Sequence, residues 1–273
     1  MRDEGAPIGV FDSGIGGLSI LKALRAELPN ESFVYIADSA NAPYGEKGDA
    51  FVIERSRSLT QTLIDRHSIK ALVVACNTAT AAAARVLRAE YPDLPLVGVE
   101  PALKPAVQLS KTRRIGVLAT RGTLESAKFA ALKASLADQA DFIVQPCDGL
   151  AAAIEQEDTI KIRALCAEYT PALGQFGTQI GQIDTLVLGC THYPFISEQL
   201  RELTGVDVQF IDTGGPVARQ TRRLLEAAGG LNSLPAAAGH GGLQLFTTGE
   251  LTSFTLLAKH WLGLPDSFKT YSL

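Results

Sequence analysis

The sequence predicts an α/β fold of two pseudo-symmetric lobes, each a mostly parallel sheet flanked by helices. Three observations lead there. Short apolar runs alternate with amphipathic ones almost throughout. The apolar runs are rich in Val, Ile and Leu without strict polar alternation, as in strands covered on both faces. The chain also resembles itself. Strands are expected at 7–12, 33–38, 71–76, 96–99, 115–119, 142–145, 185–190, 208–212 and 243–247. After the first, Leu18, Leu21, Leu24 and Leu28 recur at helical spacing until Pro29 stops them. A second helix starts near Asp49 and carries Phe51, Val52, Leu59, Leu63 and Ile64, whereas 231–242, with Pro235 and Gly239-His240-Gly241-Gly242, reads as a loop.

The internal match pairs Ile8-Gly9-Val10-Phe11-Asp12-Ser13 with Ile115-Gly116-Val117-Leu118-Ala119-Thr120, and Ala71-Leu72-Val73-Val74-Ala75-Cys76-Asn77-Thr78 with Thr185-Leu186-Val187-Leu188-Gly189-Cys190-Thr191-His192. Both matches fall in the same order, roughly 110 residues apart, which suggests two related lobes. Each lobe opens on an Ile-Gly-Val strand and later presents a cysteine at a strand end.

Composition narrows the function. Of 273 residues, 46% are hydrophobic and 20% charged, enough apolar material to exclude general disorder. The formal charge of −4 gives no electrostatic reason to bind nucleic acid or an anionic membrane. No apolar signal segment follows Met1, and no apolar run reaches a membrane span, so a cytoplasmic location is expected. Cys76, Cys147, Cys166 and Cys190 contain no C-x-x-C pair, and His67, His192, His240 and His260 are scattered. Neither a disulfide framework nor a metal centre is expected.

In open α/β sheets ligands gather beyond the carboxyl ends of strands. Polar residues fall there in Asp12-Ser13-Gly14, Cys76-Asn77-Thr78, Thr120-Arg121-Gly122-Thr123 and Cys190-Thr191-His192. A single free cysteine usually reads as a small core hydrophobe. Two in matching contexts, each ending a strand before an expected helix whose N-terminus favours thiolate, point to chemistry. Cys147 and Cys166 lack that context and read as structural. A symmetric pair of acid/base thiols suits inversion at a carbon bearing an acidic hydrogen: one thiolate removes the proton, and the opposite thiol returns one to the other face. His192 reads either as a relay for the Cys190 proton or as a satisfied structural residue. Asp12 reads as a helix cap or, if the first and third strands are neighbours, as the equivalent partner of Cys76. Ser13, Asn77, Thr78 and Thr191 suit capping or the holding of carboxylates.

Other readings are weaker. The loop after the first strand has Gly14 and Gly16 but Ser19 where a dinucleotide fingerprint needs Gly or Ala, and Asp12 would repel a pyrophosphate. Lys47 and Lys104 read as solvated, Arg121 as exposed, and no lysine context demands pyridoxal phosphate.

Phe11-Asp12-Ser13-Gly14-Ile15-Gly16-Gly17, Pro43-Tyr44-Gly45, Ala75-Cys76-Asn77-Thr78-Ala79-Thr80 and Gly189-Cys190-Thr191-His192-Tyr193-Pro194 resemble, in order, the motifs of the bacterial glutamate racemases of the aspartate/glutamate racemase family. The resemblance implies a cofactor-independent isomerase interconverting L- and D-glutamate, the D-isomer feeding peptidoglycan synthesis and so cell-wall biogenesis and cell shape. It implies Cys76 and Cys190 as the acid/base pair, assisted by Asp12 and His192. Ser13, Tyr44, Gly45, Asn77, Thr78, Thr120, Thr123 and Thr191 would bind substrate, together with Asp12 and His192. It further implies that the active site lies in the cleft between the lobes and that the C-terminal segment returns to the first lobe, giving 1–100 plus 213–273 on the Cys76 side and 101–212 on the Cys190 side. The stretch 148–181 matches no motif, and no residue is assigned there. The expected partner is a small molecule, glutamate, and a homodimer is the expected assembly because cyclic pairs dominate soluble oligomers. Two further readings stay open: racemisation of aspartate or another amino acid, and hydrolysis through a single nucleophilic cysteine.

Overall fold

The computed structural model describes residues 4–232 and 241–273. They form two compact units, one of Met1–Val99 with Gly214–Leu273 and one of Glu100–Thr213. Most of the loop expected at 231–242 lies at 233–240, outside the described residues.

The first unit begins β1 (Ile8–Asp12), α1 (Leu18–Glu27), β2 (Phe33–Ala37), α2 (Asp49–His67), β3 (Ala71–Val74), α3 (Asn77–Glu90) and β4 (Leu96–Gly98). The second runs α4 (Leu103–Leu109), β5 (Arg114–Ala119), α5 (Arg121–Leu124), α6 (Ala127–Ala134), β6 (Asp141–Pro146), α7 (Leu150–Glu155), α8 (Thr159–Ala172), β7 (Thr185–Gly189), α9 (Ser197–Thr204) and β8 (Gln209–Ile211). The chain then completes the first unit with α10 (Gly214–Ala227), β9 (Leu243–Thr247), α11 (Leu251–Leu262) and β10 (Tyr271–Ser272). Every expected strand is present, within a residue or two at its ends. β10 was not expected: two exposed residues carry no readable period.

The sheets run β10-β9-β2-β1-β3-β4 and β6-β5-β7-β8, with every pairing parallel. The sequence repeat is therefore a repeat of topology. Ile8 lies opposite Phe33 and Ala71, while Ile115 lies opposite Phe142 and Thr185. Both matched motifs thus sit on paired central strands in the same register.

Central strands β1, β2, β3 and β7 are buried at every position, which explains their missing alternation. In the second unit Leu186 and Leu188 pack into one apolar cluster with α7, α8 and α9, while Val187 packs into the other with Leu103 and Phe129. The edge strands β6 and β8 are more exposed, having one neighbour each. α1 buries Leu18, Leu21 and Leu24, ends before Pro29 as expected, and packs against α10, where Arg222 Nε donates to Glu27 Oε1 at 2.6 Å.

Two polar clusters pin the ends of the strands opposite the motifs. Before β3, Lys70 Nζ lies 2.6 Å from Glu31 Oε2, both side chains 1% exposed, and donates to the Glu4 carbonyl at 2.5 Å. The Asn232 amide donates to Glu31 Oε1 at 2.8 Å, joining the segment after α10 to the turn before β2. Before β7, buried Asp184 accepts from Ser110 Oγ (2.6 Å), the amides of Lys111 (2.6 Å) and Thr112 (2.9 Å), and Thr185 Oγ1 (3.0 Å). Burial pushes the Asp184 carboxyl up, but these bonds outweigh it and hold the carboxyl below its ordinary range.

Removing one member of the buried pair by Glu31→Ala strands the Lys70 charge and is expected to cost about 3–5 kcal/mol in denaturant unfolding; Glu31→Ala with Lys70→Met should cost less. Asp184→Asn is expected to cost about 2 kcal/mol at neutral pH. Because the Asp184 pKa is depressed by folding, its contribution is full above the unfolded carboxylate pKa of about 3.9 and is lost as pH falls through the lower folded value. The stability gap between wild type and variant should therefore close in acid.

Candidate active site

The register places the chemistry. Phe11 lies opposite Val74, so two residues further along both chains Ser13 and Cys76 are brought together. Cys76 Sγ donates to Ser13 Oγ at 3.8 Å. Cys76 is the N-cap of α3, and its sulfur accepts from the Ala79 amide at 3.4 Å. That donor, with the helix N-terminus, favours the thiolate. Asp12 ends β1 and is fully buried; its Oδ2 accepts from the amide of Gly17, the residue that opens α1, at 2.5 Å. A side chain at Gly17 would meet Asp12 Cβ at 2.6 Å and the Tyr35 hydroxyl at 2.7 Å, so only glycine lets this turn close over the carboxylate. The Tyr35 hydroxyl donates to the Gly14 carbonyl at 2.6 Å and fixes the loop from below.

Around Cys76, Asn77 and Thr78 open α3 and are buried. Neither polar atom of the Asn77 amide has a hydrogen-bond partner among the described residues. Such a group is costly to bury, so it marks a place where a polar ligand would complete the bonding. Tyr44 and Gly45 lie in a 3-10 turn, Tyr44–Glu46, in the segment from β2 to α2. The buried Tyr44 hydroxyl donates to Asp38 Oδ2 at 2.5 Å, and burial with that carboxylate pushes its pKa far up, Cys76 adding to the effect. This side chain is a neutral donor.

The second unit repeats the placement with other partners. Cys190 follows β7 directly and is buried. The helix expected right after it is absent: a turn leads into a 3-10 helix, Tyr193–Ile196, and α9 starts only at Ser197. Pro194 has no amide to give to the Cys190 carbonyl, so an α-helix cannot start directly after Cys190, and the partner of the sulfur is a side chain. Cys190 Sγ lies 3.7 Å from His192 Nδ1, and His192 Nε2 lies 2.7 Å from Glu155 Oε2. Glu155, the last residue of α7, falls in the stretch where the sequence carries no recognisable motif. Burial lowers the pKa of His192, but its bonds to Cys190 and Glu155 outweigh that and raise it well above the ordinary value. Buried Thr191 follows Cys190. Thr120 caps α5 and lies 2.9 Å, oxygen to oxygen, from Thr123 beyond the end of β5.

Burial pushes Cys147 up to about 12 and Cys166 up to about 11, so both stay neutral thiols. Arg121 is half exposed and pairs with Asp148 at 2.5 Å. Lys47 and Lys104 are exposed. Among the described residues no helix is long and apolar enough to cross a membrane. Thus Asp12, Ser13, Tyr44, Gly45, Cys76, Asn77 and Thr78 collect beyond the carboxyl ends of the first sheet. Thr120, Thr123, Cys190, Thr191 and His192, with Glu155, belong to the second unit.

Known proteins resemble this chain in sequence and fold. The model of the family described as Asp/Glu/hydantoin racemase matches residues 17–221. A glutamate racemase of Pseudomonas paraeruginosa is 50% identical over 240 residues, which cover 87% of this chain and 88% of that one. Among solved structures, glutamate racemase isoform RacE1 of Bacillus anthracis superposes with a TM-score of 0.83 at 31% identity, over 99% of this chain and 97% of that one. Escherichia coli glutamate racemase, solved with L-glutamate and the activator UDP-MurNAc-Ala, superposes with a TM-score of 0.80 at 30% identity over 98% and 97%. With more than half its length matched by the family model and a relative at half identity, the chain belongs to the Asp/Glu/hydantoin racemase family.

Proposed function

We propose that the protein is a glutamate racemase that inverts Cα by two-base catalysis between Cys76 and Cys190. The observation that carries the reading is the repeated placement of a buried thiol at the end of the third strand of each four-strand repeat, each with a polar partner in its own unit. Names of relatives at half identity support glutamate as the substrate.

The thiolate of one cysteine takes the Cα proton of bound glutamate, and the C–H electron pair passes to Cα and into the α-carboxylate. The opposite thiol gives its proton to the other face and becomes the thiolate. The enzyme is then set for the reverse substrate, and exchange with water resets it. A free thiol, of pKa about 8.5, is only slightly ionised at neutrality, so each sulfur needs help. For Cys76 the proposed help is the α3 N-terminus with Asp12; for Cys190 it is a cationic His192 held by Glu155. Ser13, Tyr44, Gly45, Asn77, Thr78, Thr120, Thr123 and Thr191 are proposed to hold the amino acid through hydroxyls, amides and backbone N–H groups. No cofactor enters this chemistry. The D-isomer is proposed to serve peptidoglycan synthesis, a reading supported by the cell-wall sugar nucleotide that activates the Escherichia coli relative.

Incubation with L-glutamate in heavy water, without added cofactor, should give deuterium at Cα and D-glutamate by chiral chromatography. Cys76→Ala and Cys190→Ala should each lower racemisation by at least about a thousandfold, since each removes an acid/base group that no neighbour replaces. If either variant keeps ordinary turnover, or if aspartate is turned over better than glutamate, the reading fails. A covalent adduct trapped on one cysteine would point to the hydrolase instead.

Glu155→Gln should lower the His192 pKa, followed by its imidazole proton resonances in an NMR titration. In the wild type the ring should stay cationic above its ordinary range. In the variant, loss of the anion should let burial prevail and move the titration toward lower pH.

A further inference from the structure

The turn that follows β9 in the C-terminal segment grips the segment between β2 and α2 that carries Tyr44 and Gly45. Asp38, fully buried at the end of β2, is the hub. Its Oδ2 accepts from the Tyr44 hydroxyl at 2.5 Å and from Arg55 Nε at 3.0 Å. Its Oδ1 accepts from Arg55 Nη2 at 2.8 Å, Asn41 Nδ2 at 3.0 Å and Thr248 Oγ1 at 2.9 Å. Thr248 has a second contact. The same hydroxyl oxygen accepts from the amide of Ala40 at 3.2 Å, so one side chain bridges the carboxylate that holds Tyr44 and the backbone that starts the 3-10 turn Ser39–Asn41. The next residue supplies an independent observation. A side chain on Gly249 would bring its Cβ 2.7 Å from Ser39 Cβ and 3.5 Å from the Ala40 nitrogen. A side chain here would overlap Ser39 Cβ and meet the 39–40 backbone only at ordinary contact distance, so the close approach is to Ser39, and glycine is what permits it.

From this geometry we infer that Thr248 and Gly249 are positioning residues for the substrate-binding segment 39–46, acting through Asp38 and the Ala40 amide. Two physical reasons make the link matter. A 3-10 turn of three residues has little stability of its own, so its placement depends on what it is tied to. The Asp38 carboxylate would also repel an anionic amino acid held beside Tyr44; the bidentate Arg55 guanidinium offsets that charge, and Thr248 keeps Oδ1 turned toward it. The inference rests on the glutamate racemase reading for its kinetic consequence, but not for its structural one.

The test uses the full-length protein with Thr248→Val, which keeps the shape and removes the hydroxyl, Thr248→Ser, which restores it, and Gly249→Ala. Without substrate, amide hydrogen exchange of 40–47 should accelerate about fivefold or more in Thr248→Val and Gly249→Ala, while the β1 and β3 amides stay as in wild type. In racemisation of L-glutamate both variants should raise KM about five- to tenfold with kcat within about twofold, and Thr248→Ser should recover wild-type behaviour in both measurements. Unchanged exchange at 40–47 in Thr248→Val overturns the inference, as does an unmoved KM or a serine variant that behaves like valine. A wild-type protein that places no deuterium at Cα of glutamate refutes the functional reading alone, and the exchange comparison still decides the coupling.

Discussion

Everything chemical in this molecule depends on the register of two parallel strand pairs, β1 with β3 and β5 with β7. A parallel ladder fixes which residues leave the sheet side by side, and a slip of one residue would turn every side chain to the other face. Burial of these strands on both faces removes the freedom to slip, because a shifted register would set backbone and apolar groups against the wrong helices. The two polar clusters at the opposite ends, Glu31 with Lys70 and the Asp184 nest, hold the starts of β3 and β7. They lie far along the strands from the cysteines and still govern where the sulfurs stand, since a strand whose start is fixed has its end fixed too.

The repeat is close in backbone and broken in chemistry. Strand-end position 12 is an acid in the first unit, and its counterpart on β5 is Ala119. The second unit restores a polar partner from the thiol's own loop, at the position where the first has Thr78. Burial alone would favour the neutral His192 ring, and its bonds to Cys190 and Glu155 outweigh that and raise its pKa. The first unit instead surrounds its thiol with an α3 amide, a serine hydroxyl and the start of a fourteen-residue helix. The two thiols thus meet different surroundings on the same topology, one built mainly from backbone dipoles and one from the His192 and Glu155 side chains.

What could be read from the sequence divides along physical lines. Strands and helices with a full period and clear stops were legible, as were the paired cysteines, because Leu72-Val73-Val74 and Leu186-Val187-Leu188 are long enough to be matched. β10 was not, since two exposed residues carry no period. The helix expected directly after Cys190 was wrong because Pro194 and the His192 turn intervene, and a proline two residues after a histidine in a motif does not announce a 3-10 helix. Glu155 was invisible for a deeper reason: its partner stands 37 residues away, and nothing local distinguishes it from a solvated helix-end glutamate. The bond between Thr248 and Asp38, spanning 210 residues, is of the same kind. Contacts between distant side chains exist only once the sheet order is known.

The difference between the two units also has a thermodynamic bound. L- and D-glutamate are mirror images with equal free energy in water, so a racemase cannot favour either at equilibrium. The two directions must share one value of kcat/KM, whatever residues assist each thiol. In the two-base mechanism proposed above, proton loss from one face and proton return to that face cross one barrier in opposite senses, so a group that eases the first eases the second equally, and no assistant of either sulfur can speed one direction alone. What the assistants are free to set is how tightly each enantiomer is held and which thiol is ionised between turnovers. That freedom falls to the residues around the amino acid. Two of the arginines near the strand ends, Arg55 and Arg121, are already committed to Asp38 and Asp148. Recognition by hydroxyls and amides suits such a site. Neutral donors can hold a carboxylate without adding a further charge to a site in which the proposed His192 imidazolium is already offset by Glu155.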